Sequence, residues 1–113
     1  EMTFHPTNFN EVDNIARGDV AALISKGKSY GDSWRRRGGV GAFMMLARKW
    51  DRIEQQAMAR QYDIFDAADQ TFSEPDGMLD DIADLRRYLL LVEEHVRAHD
   101  TEGGPGPGYV NQD

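Results

Sequence analysis

Hydrophobic residues recur at helical spacing in three stretches of the chain. Over Asn8–Lys26 apolar residues fall at intervals of three or four, although Gly18 weakens the middle, and this spacing predicts a first helix. The stretch Val40–Arg60 is rich in Ala, Met, Leu, Arg, Lys, Gln and Glu, which predicts a second, longer helix. A third helix is predicted over about Asp76–His95, because acidic residues occupy its first turns, where the helix dipole favours them.

The segments that join these helices follow different patterns. Lys26–Gly41 is dense in Gly, Ser and charged residues, which indicates a structured loop. Gln61–Pro75 loses the periodicity and has room for a short helix or turn around Phe65–Gln70. The pattern therefore predicts one all-α domain of three to four helices over residues 1–100. Residues 101–113 contain Gly-Gly-Pro-Gly-Pro-Gly, which predicts a flexible tail.

The composition limits the size and class of the protein. A chain of 113 residues has room for one modest core, so we expect subunits of a homodimer or homotetramer to complete it. Leu79 and Leu90, which project away from the apolar stripe of the third helix, support this expectation. The net charge of -7 argues against stable nucleic-acid binding. With no cysteine and no apolar run long enough to span a bilayer, the chain is expected to be cytoplasmic, with no membrane contact.

Charge is distributed unevenly along the chain. Nine of the 13 Lys and Arg residues lie between Lys26 and Arg60, whereas Gln61–Asp84 holds eight acids and no basic residue. One interpretation is that cations and carboxylates meet at a single polyanion site. The other is that charged helix faces merely keep the domain soluble. Charge alone does not decide between these interpretations.

Two pairs of acids occupy positions that bear more directly on this choice than the overall charge distribution does. On a helical wheel of the second helix, Asp51 and Glu54 fall inside or at the edge of the apolar arc, and on the third helix Asp81 and Asp84 border the apolar stripe. Ionised carboxylates are costly to remove from water unless they are paired or bind metal. Either the four acids form a Mg²⁺ or Mn²⁺ site, or each pair forms salt bridges with another helix. On the same wheel, the face of the second helix opposite the apolar arc carries Arg48, Lys49, Arg52, Gln55 and Gln56.

At these acids the chain resembles a known family. The pairs read Asp51-Arg-Ile-Glu54 and Asp81-Ile-Ala-Asp84, which resemble the E-x-x-E and E-x-x-D motifs of the MazG-like all-α nucleoside triphosphate pyrophosphohydrolases. Lys28-Ser-Tyr-Gly-Asp-Ser-Trp34 followed by Lys49-Trp-Asp-Arg-Ile-Glu54 is similar to phage and bacterial nucleotide modification associated domain proteins. The resemblance covers roughly residues 24–94.

The resemblance implies a fold, a reaction and a cofactor. It implies a MazG-like helical bundle that hydrolyses a (deoxy)nucleoside triphosphate to the monophosphate and pyrophosphate with Mg²⁺, or Mn²⁺, as cofactor. The metal ligands would be Asp51, Glu54, Asp81 and Asp84, and Glu54 would be the catalytic residue that orients or deprotonates water. The chain departs from the family at positions 51 and 81, where Asp replaces Glu and shortens the reach of each carboxylate. These shortened acids keep a second hypothesis open, a helical module that binds or sequesters a nucleotide without hydrolysing it.

Several other residues are candidates for substrate contact. Guanidinium and ammonium groups suit phosphate, and aromatic rings suit a base, although solubility and loop packing explain the same residues equally well. A third hypothesis is an interaction protein whose basic loop docks an acidic partner. The Gly38–Gly41 run fits a plain turn best, and His95 and His99 fit a solvated helix end. The substrate-binding candidates are Lys28, Tyr30, Trp34, Arg35, Arg37 and Tyr88.

Overall fold

The computed structural model describes residues 5–26 and 33–102 of the chain. All regular secondary structure within these two ranges is helical, which confirms the predicted all-α class and the predicted number of helices. The elements in chain order are α1 (Phe9–Ser25), a 3₁₀ helix (Ser33–Arg35), α2 (Gly38–Met58), α3 (Ile64–Gln70) and α4 (Met78–Glu102).

The chain divides into two compact units, residues 1–33 and residues 34–113. In the first unit, α1 begins after Asn8, whose side chain accepts a hydrogen bond from the backbone N–H of Glu11 at 3.1 Å. This contact satisfies one of the free amides at the helix start, and helix capping of this kind typically contributes about 1 kcal/mol. The bounds of α1 match the predicted first helix. Its apolar side chains are at least two-fifths exposed at Phe9, Val12, Ile15, Val20 and Ile24.

Backbone conformation sets where α2 begins and ends. Gly38, the first residue of α2, has a φ of 74°, which glycine adopts without steric cost. After α2 ends at Met58, Gln61 and Tyr62 are left-handed, with φ values of 54° and 64°, and they reverse the chain. The side chain of Asp63 then caps α3 by accepting from the backbone N–H of Asp66 at 3.1 Å. The short helix predicted near Phe65–Gln70 is therefore present and bounded by its own cap.

A tight corner joins α3 to α4. A Cβ placed on Gly77 would lie 2.6 Å from the backbone oxygen of Thr71. The Thr71 hydroxyl accepts a hydrogen bond from the Met78 backbone N–H at 3.0 Å, so the start of α4 is tied to the end of α3. From this corner α4 continues to Glu102, past the predicted end near His95 and two residues into the predicted tail. The rest of that tail, residues 103–113, lies outside the described residues.

The core of the second unit lies where α2, α3 and α4 meet. Its buried residues are Ile53 and Ala57 of α2, Ala67 of α3, and Met78 of α4, which is fully buried. Ala68, Ile82 and Leu85 pack against this cluster. Residues late in α2 contact residues early in α4, so these two helices run antiparallel along a shared seam. The three alanines at this end take little room between the helices, which favours close packing.

Much of the apolar surface of α2 is not covered within the described residues. Its exposed hydrophobic side chains are Val40, Phe43, Met44, Trp50 and Met58, each more than half exposed. Leu79 and Leu90 of α4 are also exposed, at 45% and 42%. Assembly into a dimer or tetramer stays a prediction. Among the described helices, none is both long enough and apolar enough to cross a membrane.

Candidate functional site

The seam between α2 and α4 contains a buried carboxylate with two donors. Asp81 is 2% exposed. Its Oδ1 accepts a hydrogen bond from Arg52 Nε at 2.7 Å, and its Oδ2 accepts one from Gln56 Nε2 at 2.8 Å. Both donors lie on α2, four residues apart, so they reach the seam from successive turns. Asp81 therefore has a hydrogen-bond donor on each oxygen and a counter-charge on one side.

One turn further along the seam is a second ion pair. Lys49 Nζ donates to Asp84 Oδ2 at 3.0 Å, and these side chains are 20% and 33% exposed. Hydrogen bonding to Asp81, followed by the charge of Asp81, raises the pKa of the Arg52 guanidinium. The raised pKa reinforces the positive charge that arginine carries at neutral pH. The seam is a short polar ladder of two acids on α4 and three partners on α2.

The first acidic pair lies elsewhere. Asp51 and Glu54 are exposed, so their placement on the apolar face of α2 was wrong. The face that α2 turns toward α4 is centred on Ile53 and extends to Lys49 and Gln56, because the acids of α4 attract the basic and amide side chains. The buried face is therefore rotated away from the arc that hydrophobicity alone indicates. Three of the residues placed opposite the core, Lys49, Arg52 and Gln56, lie on the seam instead.

In the described arrangement the four carboxylates are not gathered into one magnesium centre. No group of three or more His, Asp or Glu side chains able to hold a metal ion is found in residues 5–26 and 33–99. Asp81 and Asp84 are each paired with a cation from α2, which is the salt-bridge interpretation that the sequence left open for them. Mg²⁺ prefers an octahedron of oxygen ligands, and these two acids alone supply only part of it. The metal-binding role of the four acids stays a prediction.

The substrate candidates are dispersed. Lys28 and Tyr30 lie outside the described residues. Trp34 is 5% exposed, as the loop-packing interpretation expects, and the Arg35 guanidinium lies 5.5 Å from the centre of its ring. Arg37 is exposed just before α2, where its side chain caps nothing. Tyr88 is partly buried on α4, one helical turn from Asp84 and on the same side of the helix.

Trp34 and Arg35 belong to a cleft at the other end of the seam. Its volume is about 320 Å³, and it lies between the start of α2 and the second half of α4. Arg35 Nη1 donates to His95 Nδ1 at 2.8 Å, and the rings of Trp34 and His95 meet edge to face at 6.2 Å. Because arginine can only donate, Nδ1 of His95 must accept, and the hydrogen of the neutral ring is on Nε2. The lining consists of Trp34, Arg35, Gly38, Gly39, Ala42, Phe43, Leu46, Val92, His95 and Val96.

The sequence contained signals for these features. Lys49 and Arg52 are three residues apart, as are Asp81 and Asp84, which they meet, and matching these two charged stripes would have paired them. Phe43 and His95 were not identified as site residues. For the cleft the signal is Gly38–Gly39, two residues without side chains that lie about one helical turn before the aromatic residue at position 43. Such a pair leaves empty volume beside a helix that otherwise carries large side chains.

The chain was also compared with known proteins. No protein-family model, no curated protein and no solved structure matches it. The polar ladder and the cleft at the two ends of one seam are the features that bear on its function.

Proposed function

We propose that this chain hydrolyses a (deoxy)nucleoside triphosphate to the monophosphate and pyrophosphate with Mg²⁺ as cofactor. The observation that carries the proposal is the polar ladder, in which Asp81 and Asp84 lie one turn apart among Lys49 and Arg52. A triphosphate with its metal ion needs both kinds of group within reach, carboxylates for the cation and basic groups for the phosphate oxygens. The resemblance of the two acidic pairs to those of the pyrophosphohydrolases supports the choice of reaction.

In this proposal the residues of the ladder change partners when substrate binds. Lys49 and Arg52 neutralise the acids in the described state and would turn to the phosphates, whose oxygens accept charge-assisted hydrogen bonds from both side chains. Asp81 and Asp84 would then be available to a divalent cation, which supplies Lewis acidity and an activated water when bound. Glu54 is exposed on α2 apart from the ladder, so its predicted role of orienting or deprotonating that water is not part of this arrangement.

A second candidate function is capture of a nucleotide without hydrolysis. The observation that favours it is the state of the acids, since a cation of α2 holds each of them and the first acidic pair lies apart from them. In this case Lys49 and Arg52 shape the seam, and binding needs no metal. The two candidates differ in whether Mg²⁺ is required and whether pyrophosphate is released.

Incubation of the purified protein with all common ribonucleoside and deoxyribonucleoside triphosphates and Mg²⁺ tests the proposal. Anion-exchange chromatography should detect a monophosphate and pyrophosphate in equal amounts from at least one substrate. Asp84→Asn should lower kcat/KM by about a hundredfold, as expected when a group that holds charge in the transition state is lost. Asp69→Asn, which alters an exposed acid of α3, is the matched control and should leave the rate unchanged.

Two results would contradict the hydrolase. Tight nucleotide binding with no turnover of any triphosphate would establish capture instead. Equal rates of hydrolysis for Asp84→Asn and Asp69→Asn would show that the ladder takes no part in the reaction. A melting curve of each variant distinguishes a loss of chemistry from a loss of fold.

A further inference from the structure

The cleft at the start of α2 has the size and character of a small-molecule site. Sites of this kind are mostly apolar clefts of about 300 Å³ or more with a few polar groups at fixed positions. Ala42, Leu46 and Val92 supply apolar wall, while Arg35 and His95 bring polar atoms to one edge and are joined by a 2.8 Å hydrogen bond. The polar edge is therefore held in place before any ligand arrives.

One aromatic ring of the lining is open to solvent. Phe43 is 63% exposed, whereas Trp34 is 5% exposed and packed against Arg35 and His95. An exposed phenyl ring beside apolar side chains suits a flat ring system, because stacking removes the facing surfaces of the phenyl ring and the ligand from water. Gly38 and Gly39 line one side of the cleft and, having no side chains, leave that side open. A Cβ placed on Gly39 would meet nothing within 4 Å. The shape favours a planar ligand over a branched one.

The cleft and the polar ladder lie along the same pair of helices. On α2, Leu46 of the cleft is three residues before Lys49 of the ladder, and on α4 successive steps of four residues lead from Asp84 to Tyr88 and to Val92. At about 1.5 Å of rise per residue, Val92 lies about 12 Å along α4 from Asp84. This is about the span of a nucleotide from its base to its outer phosphates. One extended ligand can therefore touch both features.

We propose that the cleft receives the base of a nucleotide whose phosphates extend toward Lys49 and Asp84. The base stacks on Phe43, the apolar floor of Ala42, Leu46 and Val92 excludes water from its edge, and Tyr88 lies beside the sugar. Arg35 and His95 offer N–H groups to the acceptors on the base. This inference rests on the proposed action on nucleotides, but it concerns recognition of the base rather than cleavage of the triphosphate.

Two variants of the cleft and one control test this assignment. Gly39→Leu extends a side chain into the cleft at a position where leucine also favours the helix, so the fold is kept. Phe43→Ala removes the exposed ring. Val40→Leu enlarges an adjacent residue that is 78% exposed and does not line the cleft.

Binding is measured with deoxynucleoside monophosphates in EDTA, so that neither metal nor hydrolysis contributes. The chain has two tryptophans, and Trp50→Phe leaves Trp34 in the cleft wall as the fluorescent reporter. We expect dAMP, dGMP, dCMP or dTMP to change this fluorescence on binding. Gly39→Leu and Phe43→Ala should each weaken the affinity about tenfold, the loss expected for one base stacking contact, and Val40→Leu should leave it unchanged.

The outcomes separate the base site from the reaction. Monophosphate binding that is lost in both cleft variants supports the base site even if no triphosphate is hydrolysed, and the protein then captures nucleotides. Hydrolysis with the same KM in Gly39→Leu, Phe43→Ala and the parent protein would overturn the base site and leave the hydrolase standing. Failure of all four monophosphates to bind would also overturn it. So would a lower mass of Phe43→Ala in light scattering at unchanged nucleotide affinity, because the cleft would then be an interface between copies.

Discussion

The two ends of the seam between α2 and α4 differ in how far they are closed. At one end Arg52 and Gln56 hold Asp81 at 2% exposure, directly above the buried cluster that contains Met78. At the other end the same two helices enclose a cleft of about 320 Å³. The closed end combines small apolar residues with paired charges, whereas the open end combines two glycines with large side chains that do not fill the space between the helices.

This difference indicates a division of roles along one pair of helices. Packing density at the closed end supplies most of the stability, since burial of apolar surface is the dominant favourable contribution to folding. Apart from Trp34 and Ala42, the residues that line the open end are exposed or only partly buried, so this end is expected to tolerate change. A ligand site is less costly to maintain at an end where stability does not depend on close packing. Four substitutions, two of them with a matched control, test whether the ends differ in this way.

The largest effect is expected for Met78→Ala at the closed end. Met78 is fully buried in the cluster of α2, α3 and α4, and its truncation leaves a cavity. The free energy of unfolding should fall by about 2 to 5 kcal/mol. Urea titration followed by circular dichroism at 222 nm measures it. Met44→Ala, at a methionine of α2 that is 56% exposed, is the control and should change it by less than about 0.5 kcal/mol. Equal losses of unfolding free energy in the two variants would mean that the closed end does not supply most of the stability.

An intermediate effect is expected for Arg52→Met. The substitution leaves Asp81 buried with the Gln56 amide as its remaining donor from α2. We expect the melting temperature to fall, but by less than for Met78→Ala, because half of the Arg52 side chain is exposed to solvent and the ion pair is partly screened. Arg48→Met removes an exposed arginine from the same helix and should be neutral within about 0.5 kcal/mol. If thermal melts show both variants to be equally stable, the ion pair between Arg52 and Asp81 does not contribute to the stability of the fold.

The smallest effects are expected at the open end, and they have opposite signs. Gly39→Ala places a methyl group in open space on a helix, so the protein should gain about 0.5 kcal/mol from a less flexible unfolded chain. Gly38→Ala forces alanine to a φ of 74° and should cost about 1 kcal/mol. Differential scanning calorimetry resolves shifts of this size in a small domain. A destabilised Gly39→Ala would show that the wall of the cleft is packed after all.

Most of the fold follows from local pattern. The first and second helices begin and end within two residues of the predicted bounds, because apolar periodicity and helix propensity agree over long segments. The predicted short helix near Phe65 is present because Asp63 caps it. The end of α4 is seven residues later than expected. Its last turns contain few apolar residues, so periodicity alone gave no reason to extend the helix.

The site was less accessible from sequence because it depends on the rotation of one helix against another. A wheel ranks faces by hydrophobicity, and it placed Asp51 and Glu54 inward and Lys49 and Arg52 outward. The actual face of α2 is chosen jointly with α4, whose acids at positions 81 and 84 pair with the basic stripe. That choice is a property of two helices together, which a single-helix pattern does not contain. The roles of the four acids in binding metal stay predictions.

The corner at Gly77 has a consequence for how this chain tolerates mutation. The backbone oxygen of Thr71 occupies the place of any side chain at position 77, and the Thr71 hydroxyl holds the amide of the next residue. In a saturation library, position 77 is therefore expected to accept glycine alone, and substitutions at position 71 are restricted to residues that keep the hydroxyl. This buried corner, directly before Met78 and within one turn of Asp81, thus fixes where α4 begins, and with it which of its acids meet α2.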